Sequence, residues 1–153
     1  MNDILPLIFG ALLAIIGGAV SDMIHAWMER NRELKAIKIA IIDELSDIEA
    51  TIKNMHEVWE QTKVFAVKYV DDLLASMSTY DGFRSRLFLM KNKDLRKEVS
   101  AFYKKIKDTA KKSEGKVGTL ADSDESKREQ TAIEASFQAL GTEAKSIKEK
   151  LEK

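Results

Sequence analysis

Residues 56–60 read His-Glu-Val-Trp-Glu, which sets His56 and Glu60 one helical turn apart as two groups a divalent cation would accept. A zinc hydrolase of the H-E-x-x-H type needs its second histidine where this chain has Glu60. The other histidine, His25, lies at the end of the apolar N-terminal run, so His56 is expected on a polar helix face beside Trp59. Asp43 with Asp47 and Asp71 with Asp72 pair carboxylates as acid–base catalysis would, but charged residues on a helix more often serve solvation. The segment Gly115-Lys116-Val117-Gly118-Thr119 has the residue types of a phosphate loop in the wrong order and spacing. Asp122-Ser123-Asp124-Glu125 lacks the alternating ligands and central glycine of a calcium loop and reads as the start of a helix. With no cysteine, neither disulfides nor cysteine-based metal sites are available. We therefore expect no catalytic residue, no metal and no cofactor.

One charge feature stands out. Basic and acidic residues number 25 each, yet residues 84–116 hold 12 basic side chains against four acidic ones, Asp94, Glu98, Asp108 and Glu114. Such density suits phosphate groups, and Arg96, Lys97, Lys104, Lys105, Lys111 and Lys112 are the candidate phosphate-ligand patch. Phe102 and Tyr103 are the only aromatics in its middle and Phe102 falls on the apolar face, so a nucleic acid or nucleotide is not the expected partner. The favoured reading packs this basic segment beside acidic neighbours, since residues 39–81 hold nine acidic residues against three basic ones.

The elements that carry these residues begin with an apolar run. Residues 4–20 read ILPLIFGALLAIIGGAV without a charge, and continuing to Ile24 gives about 21 residues, near the roughly 20 that cross a hydrocarbon core. The flank before it is Met-Asn-Asp rather than a basic stretch, so the expectation is a retained anchor and not a cleaved secretory signal. Arg30, Arg32, Lys35 and Lys38 follow the run, which predicts the N-terminus outside and the C-terminal part in the cytoplasm, at an inner or plasma membrane. Trp27, Arg30, Arg32 and Lys35 are the expected interface anchors, and residues 1–27 the anchoring region. Gly10, Ala14 and Gly18 recur every fourth residue, with Gly17 and Ser21 beside them, a pattern that lets two backbones approach in lipid. Pro6 sits in the first turn, where its missing N–H costs little.

Residues 28–153 are expected to form a helical domain in the cytoplasm. No proline follows Pro6, and no glycine lies between Gly18 and about Gln61, so the spanning helix is predicted to continue into the domain. Leu34, Ile41, Ile48 and Met55 repeat every seven residues, as do Leu45, Ile52 and Trp59, with Ile37, Ile39 and Ile42 widening the stripe beyond a coiled-coil seam. A second helix is predicted over residues 63–79, facing inward through Ala66, Val70, Leu73, Met77 and Tyr80 and ending at the Asp81-Gly82 turn signal. After a short segment with Phe83, Leu87 and Met90, Asn92 is placed to cap a helix over 93–112 whose face is Leu95, Val99, Phe102 and Ile106. Residues 113–120 read as a loop. The last helix starts near Ser123, with Ile133, Phe137, Leu140, Ala144, Ile147 and Leu151 spaced by threes and fours.

The fold expected is all-α, a single transmembrane helix continuing into an antiparallel bundle of about four helices. The layout resembles that of small prokaryotic single-pass proteins with a helical cytoplasmic domain. The expected function is a non-enzymatic, membrane-anchored interaction or scaffold protein. Its expected partners are the lipid bilayer, further copies of itself in a homo-oligomer, and a cytoplasmic protein. The alternative is an oligomeric membrane-perturbing effector or pore-former regulated by its bundle, against which stands the lack of polar residues to line a pore. A third reading is phosphate-ligand sensing by the basic helix.

Overall fold

The computed structural model describes residues 4–64, 67–113 and 123–152, and every regular element among them is helical. These are α1 (Ile4–Thr62), α2 (Val67–Ala75), α3 (Ser78–Phe83), a 3₁₀ segment (Arg84–Leu89), α4 (Lys93–Ser113) and α5 (Asp124–Glu152). The chain divides into two compact units, Met1–Ala36 and Ile37–Lys153, with the division falling inside α1. The expected limit of the anchor, residue 27, lies within the first unit.

In the first unit, Phe9, Leu13, Ile15, Met23 and Trp27 are all more than 60% exposed. At 100° per residue the bulky apolar side chains fall on one side of α1, and Gly10, Ala14, Gly17, Gly18 and Ser21 gather on the other. A Cβ built at Gly10, Gly17 or Gly18 would meet nothing within 4 Å, so these glycines are a bare face rather than an internal packing point. Arg30, Arg32 and Lys35 are exposed. α1 is long and apolar enough to cross a membrane.

The second unit is a helical bundle whose core follows the periodicity of each helix. Ile37, Ile41, Leu45, Ile48, Ile52, Met55 and Trp59 bury one stripe of α1, while Ile39 stands half exposed and Ile42 is only partly covered. The stripe is thus narrower than residues 37, 39 and 42 implied, because position 39 is about 200° from position 37 around the helix. α4 buries Leu95, Val99, Phe102 and Ile106, and α5 buries Ile133, Phe137, Leu140, Ala144, Ile147 and Leu151. Each of these side chains except Ala144 contributes about 1.5–3 kcal/mol on leaving water. The side chain of Ala66, assigned to the second helix, lies outside the described residues, as does the loop expected over 113–120 apart from Ser113, which ends α4.

Polar contacts link the helices at matched heights. Lys38 Nζ donates to the Leu151 carbonyl at 3.0 Å, Lys148 pairs with Glu49 at 3.1 Å, and His56 Nδ1 meets Glu134 at 2.6 Å. Between these, a Cβ on Gly141 would sit 3.3 Å from Ile52 Cγ2, so α5 approaches α1 closely there. Lys105 pairs with Glu143 at 2.8 Å and Lys150 with Glu98, joining α4 to α5.

The end of α1 agrees with the sequence expectation to within a residue, and two later boundaries differ from it. α1 ends at Thr62 because Lys63 takes a left-handed backbone (φ 54°) and its N–H donates to the Trp59 carbonyl at 2.8 Å. The helix predicted over 63–79 is broken at Ser76-Met77, where Ser76 Oγ donates to the Leu73 carbonyl and Met77 N–H returns to Leu74. Asp81-Gly82, the predicted turn, instead lies inside α3, with Asp81 N–H bonded to the Met77 carbonyl. Asn92 and Ser123 do act as N-caps. Asn92 Oδ1 accepts from Asp94 and Leu95 N–H at 3.1 and 3.0 Å, and Ser123 Oγ accepts from Ser126 N–H at 3.1 Å.

Candidate functional site

One stripe of α4 carries Lys93, Arg96, Lys97, Ser100, Lys104 and Lys107, at spacings of three and four that keep them on the side away from Phe102 and Ile106. α3 and the 3₁₀ segment lie alongside and bring Arg84 to the same place. A buried contact positions them: the Glu44 carboxylate, 4% exposed, accepts the Tyr80 N–H through both oxygens at 3.1 and 3.3 Å. This satisfies an orphan N–H in the first turn of α3 and ties that short helix to α1. Tyr80 in turn stacks on Tyr103 of α4, ring centres 3.9 Å apart and planes within 8°, and Phe102 meets Tyr103 edge-on at 5.5 Å. Arg96 Nη1 donates to the Phe88 carbonyl at 3.2 Å and closes the other end.

Two adjoining cavities result. The first, about 360 Å³, is lined by Tyr80, Arg84, Ser100, Ala101, Tyr103, Lys104 and Lys107. The second, about 490 Å³, is lined by Arg84, Leu87, Phe88, Lys93, Arg96, Lys97 and Ser100. Arg84 and Ser100 belong to both, and every charged side chain in either lining is basic. Lys107 is offset by Asp81, 3.1 Å away, but Arg84, Lys93, Arg96, Lys97 and Lys104 have no carboxylate partner among the described residues. Cations held together around a concave surface without counter-charges raise the local concentration of anions.

Among the described residues, the two groups with altered acidity lie beneath this cleft. Burial pushes the Glu44 carboxyl above its ordinary value, against the lowering effect of the Thr79 and Tyr103 side chains and the Tyr80 backbone N–H. Burial, then the charge of Glu44, pushes the Tyr103 phenol upward as well. The Tyr103 hydroxyl interacts with Glu44 electrostatically, yet it is fully buried and makes no hydrogen bond of good geometry. Both perturbations follow first from the burial of these side chains where α3 meets α1 and α4.

Of the residues predicted as a phosphate-ligand patch, the structure brings Arg96, Lys97 and Lys104 together in the cleft. Lys105 turns to Glu143 of α5, and Lys111 and Lys112 are exposed at the end of α4 and line neither cavity. Arg84, Lys93, Ser100 and Lys107 were not singled out; the rhythm of threes and fours from Lys93 to Lys107 was the signal for all but Arg84, which arrives from another element. His56 is engaged by Glu134, and no group of three metal-ligating side chains occurs among the described residues. A third cavity, about 350 Å³, lies where α1 meets the α2–α3 turn and is acidic, lined by Asp43, Glu44 and Asp47 with Ser76, Ser78, Thr79 and Ala40.

Against protein-family models, curated proteins and solved structures, the chain finds no match.

Proposed function

We propose that this chain is a membrane-anchored, non-enzymatic interaction protein. It spans the bilayer once, self-associates through the span, and presents an antiparallel helical bundle to partners in the cytoplasm. The observation that carries the reading is the contrast between the two units: one leaves its large apolar side chains exposed from Phe9 to Trp27, while the other buries most of its own, with Ile39, Leu74 and Phe88 the exposed exceptions among the described residues. Large apolar surface left in water is strongly unfavourable, and a bilayer is the medium that removes the penalty.

The exposed Arg30, Arg32 and Lys35 after the span favour a cytoplasmic bundle, and Trp27 fits the interface. The face of Gly10, Ala14, Gly17, Gly18 and Ser21 favours self-association, because small residues allow van der Waals contact between helices in lipid. The antiparallel arrangement is supported by the contacts between α1 and α5, which run 38 to 151, 49 to 148 and 56 to 134, and between α4 and α5, which run 98 to 150 and 105 to 143.

The test is made on the full chain in its native membrane. The protein should resist extraction at alkaline pH, and a C-terminal tag should be shielded from protease added outside intact cells and digested once the membrane is permeabilised. Crosslinking should yield dimers or larger species that the triple change Gly10→Leu, Ala14→Leu and Gly18→Leu reduces severalfold. Alkaline release overturns the anchor; unchanged crosslinking overturns self-association through this face.

A further inference from the structure

We propose that the cleft of α3, the 3₁₀ segment and α4 is a binding site for a small ligand carrying two phosphate groups. The site lies wholly within the unit Ile37–Lys153, so it stands or falls apart from the membrane reading.

Two observations set the ligand's chemistry. The cleft is double, with Lys104 and Lys107 in one cavity, Lys93, Arg96 and Lys97 in the other, and Arg84 in the wall common to both. A guanidinium offers five N–H donors in a planar fork, so Arg84 is suited to bridging two neighbouring phosphates while lysines supply point charges on either side. Ser100, also common to both, adds a hydroxyl donor. The second observation is that the cations are already set in place without neutralisation. Arg84, Lys93, Arg96, Lys97 and Lys104 have no carboxylate partner among the described residues, whereas Lys105, Lys148 and Lys150 elsewhere in the bundle do. The same fold that pairs lysines across its helices thus leaves this group open.

The aromatic residues argue against a stretch of nucleic acid. Tyr80 and Tyr103 spend their faces on each other, 3.9 Å apart, and Tyr103 is 1% exposed, so neither offers a platform for a base. Phe88, 62% exposed at the edge of the second cavity, gives an apolar rim against which the organic part of a phosphate ester can rest. The shared chemistry is two phosphoryl groups on one small molecule, whether free in solution or on a lipid headgroup.

The experiment titrates pyrophosphate into the purified full chain in non-ionic detergent, followed by calorimetry. Saturable binding is expected, one per chain, with affinity about tenfold above that for orthophosphate and falling severalfold as salt rises from about 50 to about 300 mM. The pair Arg84→Ala and Lys104→Ala should weaken it at least tenfold, while the charge-keeping Lys104→Arg retains it. The off-cleft pair Lys112→Ala and Lys145→Ala should change it by less than about twofold, with helix content by circular dichroism the same in all variants. Adding anionic phospholipid to the micelles separates the sources: loss of pyrophosphate binding assigns the site to a headgroup, and unchanged binding assigns it to a soluble ligand. No saturable binding at millimolar pyrophosphate, equal affinity for orthophosphate, or an equal loss in the off-cleft pair overturns the proposal.

Discussion

Glu44 is the residue on which the cleft's geometry turns. A carboxylate 4% exposed loses its hydration, and the Tyr80 N–H bonds with the Thr79 and Tyr103 contacts return only part of it, so its proton is held above the ordinary value of 4.5. For an acid raised on folding, the native state binds more protons than the unfolded one between the two pKa values. Stability therefore falls as pH rises from the ordinary value through the raised one and levels off above it. Glu44→Gln removes the ionisation and keeps an oxygen to accept the Tyr80 N–H. Urea unfolding of wild type and variant at a series of pH values should show the variant gaining on the wild type as pH rises above 4.5, then a constant difference. A pH-independent difference between the two would mean that Glu44 ionises without cost. In the sequence this residue was one acid among nine between residues 39 and 81, yet its spacing, three residues after Ile41 and four before Ile48, sets it at the edge of the apolar stripe, where Asp43 and Asp47 do not fall. Its partners lie 36 and 59 positions away, and only the folded chain brings them together.

At the scale of elements, what was readable and what was not divides by how local the cause is. Asn92 and Ser123 cap helices through N–H groups two or three residues on, so the sequence alone located both starts. The buried faces of α4 and α5 follow the helical repeat and were legible for the same reason. The end of α1 was placed to within a residue, but by the loss of its apolar pattern, for the stop itself carries no glycine or proline. Lys63 takes the left-handed position that glycine usually fills, at a cost of about 1–2 kcal/mol for a side-chain-bearing residue. Its ammonium offsets part of this, 3.2 Å from Glu60 and 5.8 Å from the Trp59 ring centre, two exposed contacts worth up to about 1 kcal/mol each. Lys63→Gly should raise stability by roughly 0.5 kcal/mol, because strain relief slightly exceeds the lost contacts and glycine's greater chain entropy. Lys63→Ala, which keeps the strain and loses the contacts, should lower it by a similar amount. The order glycine, lysine, alanine in denaturant midpoints is the measurement, and alanine above lysine would show that the contacts contribute nothing.

For the whole molecule, zero net charge conceals two different uses of lysine. Lys105, Lys148 and Lys150 span between helices to Glu143, Glu49 and Glu98, with side chains a quarter or more exposed. Pairs so exposed contribute about 0–1 kcal/mol each, and salt screens them. The core does far more, since Phe102, Phe137 and Ile106 are almost wholly buried and truncating one such side chain costs about 2–5 kcal/mol. The fold should accordingly be insensitive to ionic strength. Raising salt from about 50 mM to about 1 M should move the melting temperature by only a few degrees, at about 4 °C per kcal/mol for a domain of this size. Screening of the unpaired cations in the cleft opposes the loss of the pairs, because Arg84, Lys93, Arg96, Lys97 and Lys104 repel one another and salt relieves that repulsion. Charge removal in the cleft, as in Arg84→Ala with Lys104→Ala, should therefore leave the melting temperature at low salt unchanged or slightly higher. The off-cleft control is Lys150→Ala, which breaks the pair with Glu98 and should lower it by a few degrees at most. A clear fall in melting temperature on emptying the cleft of charge would make those side chains structural, and a rise would show that the fold tolerates their crowding for the sake of something other than stability.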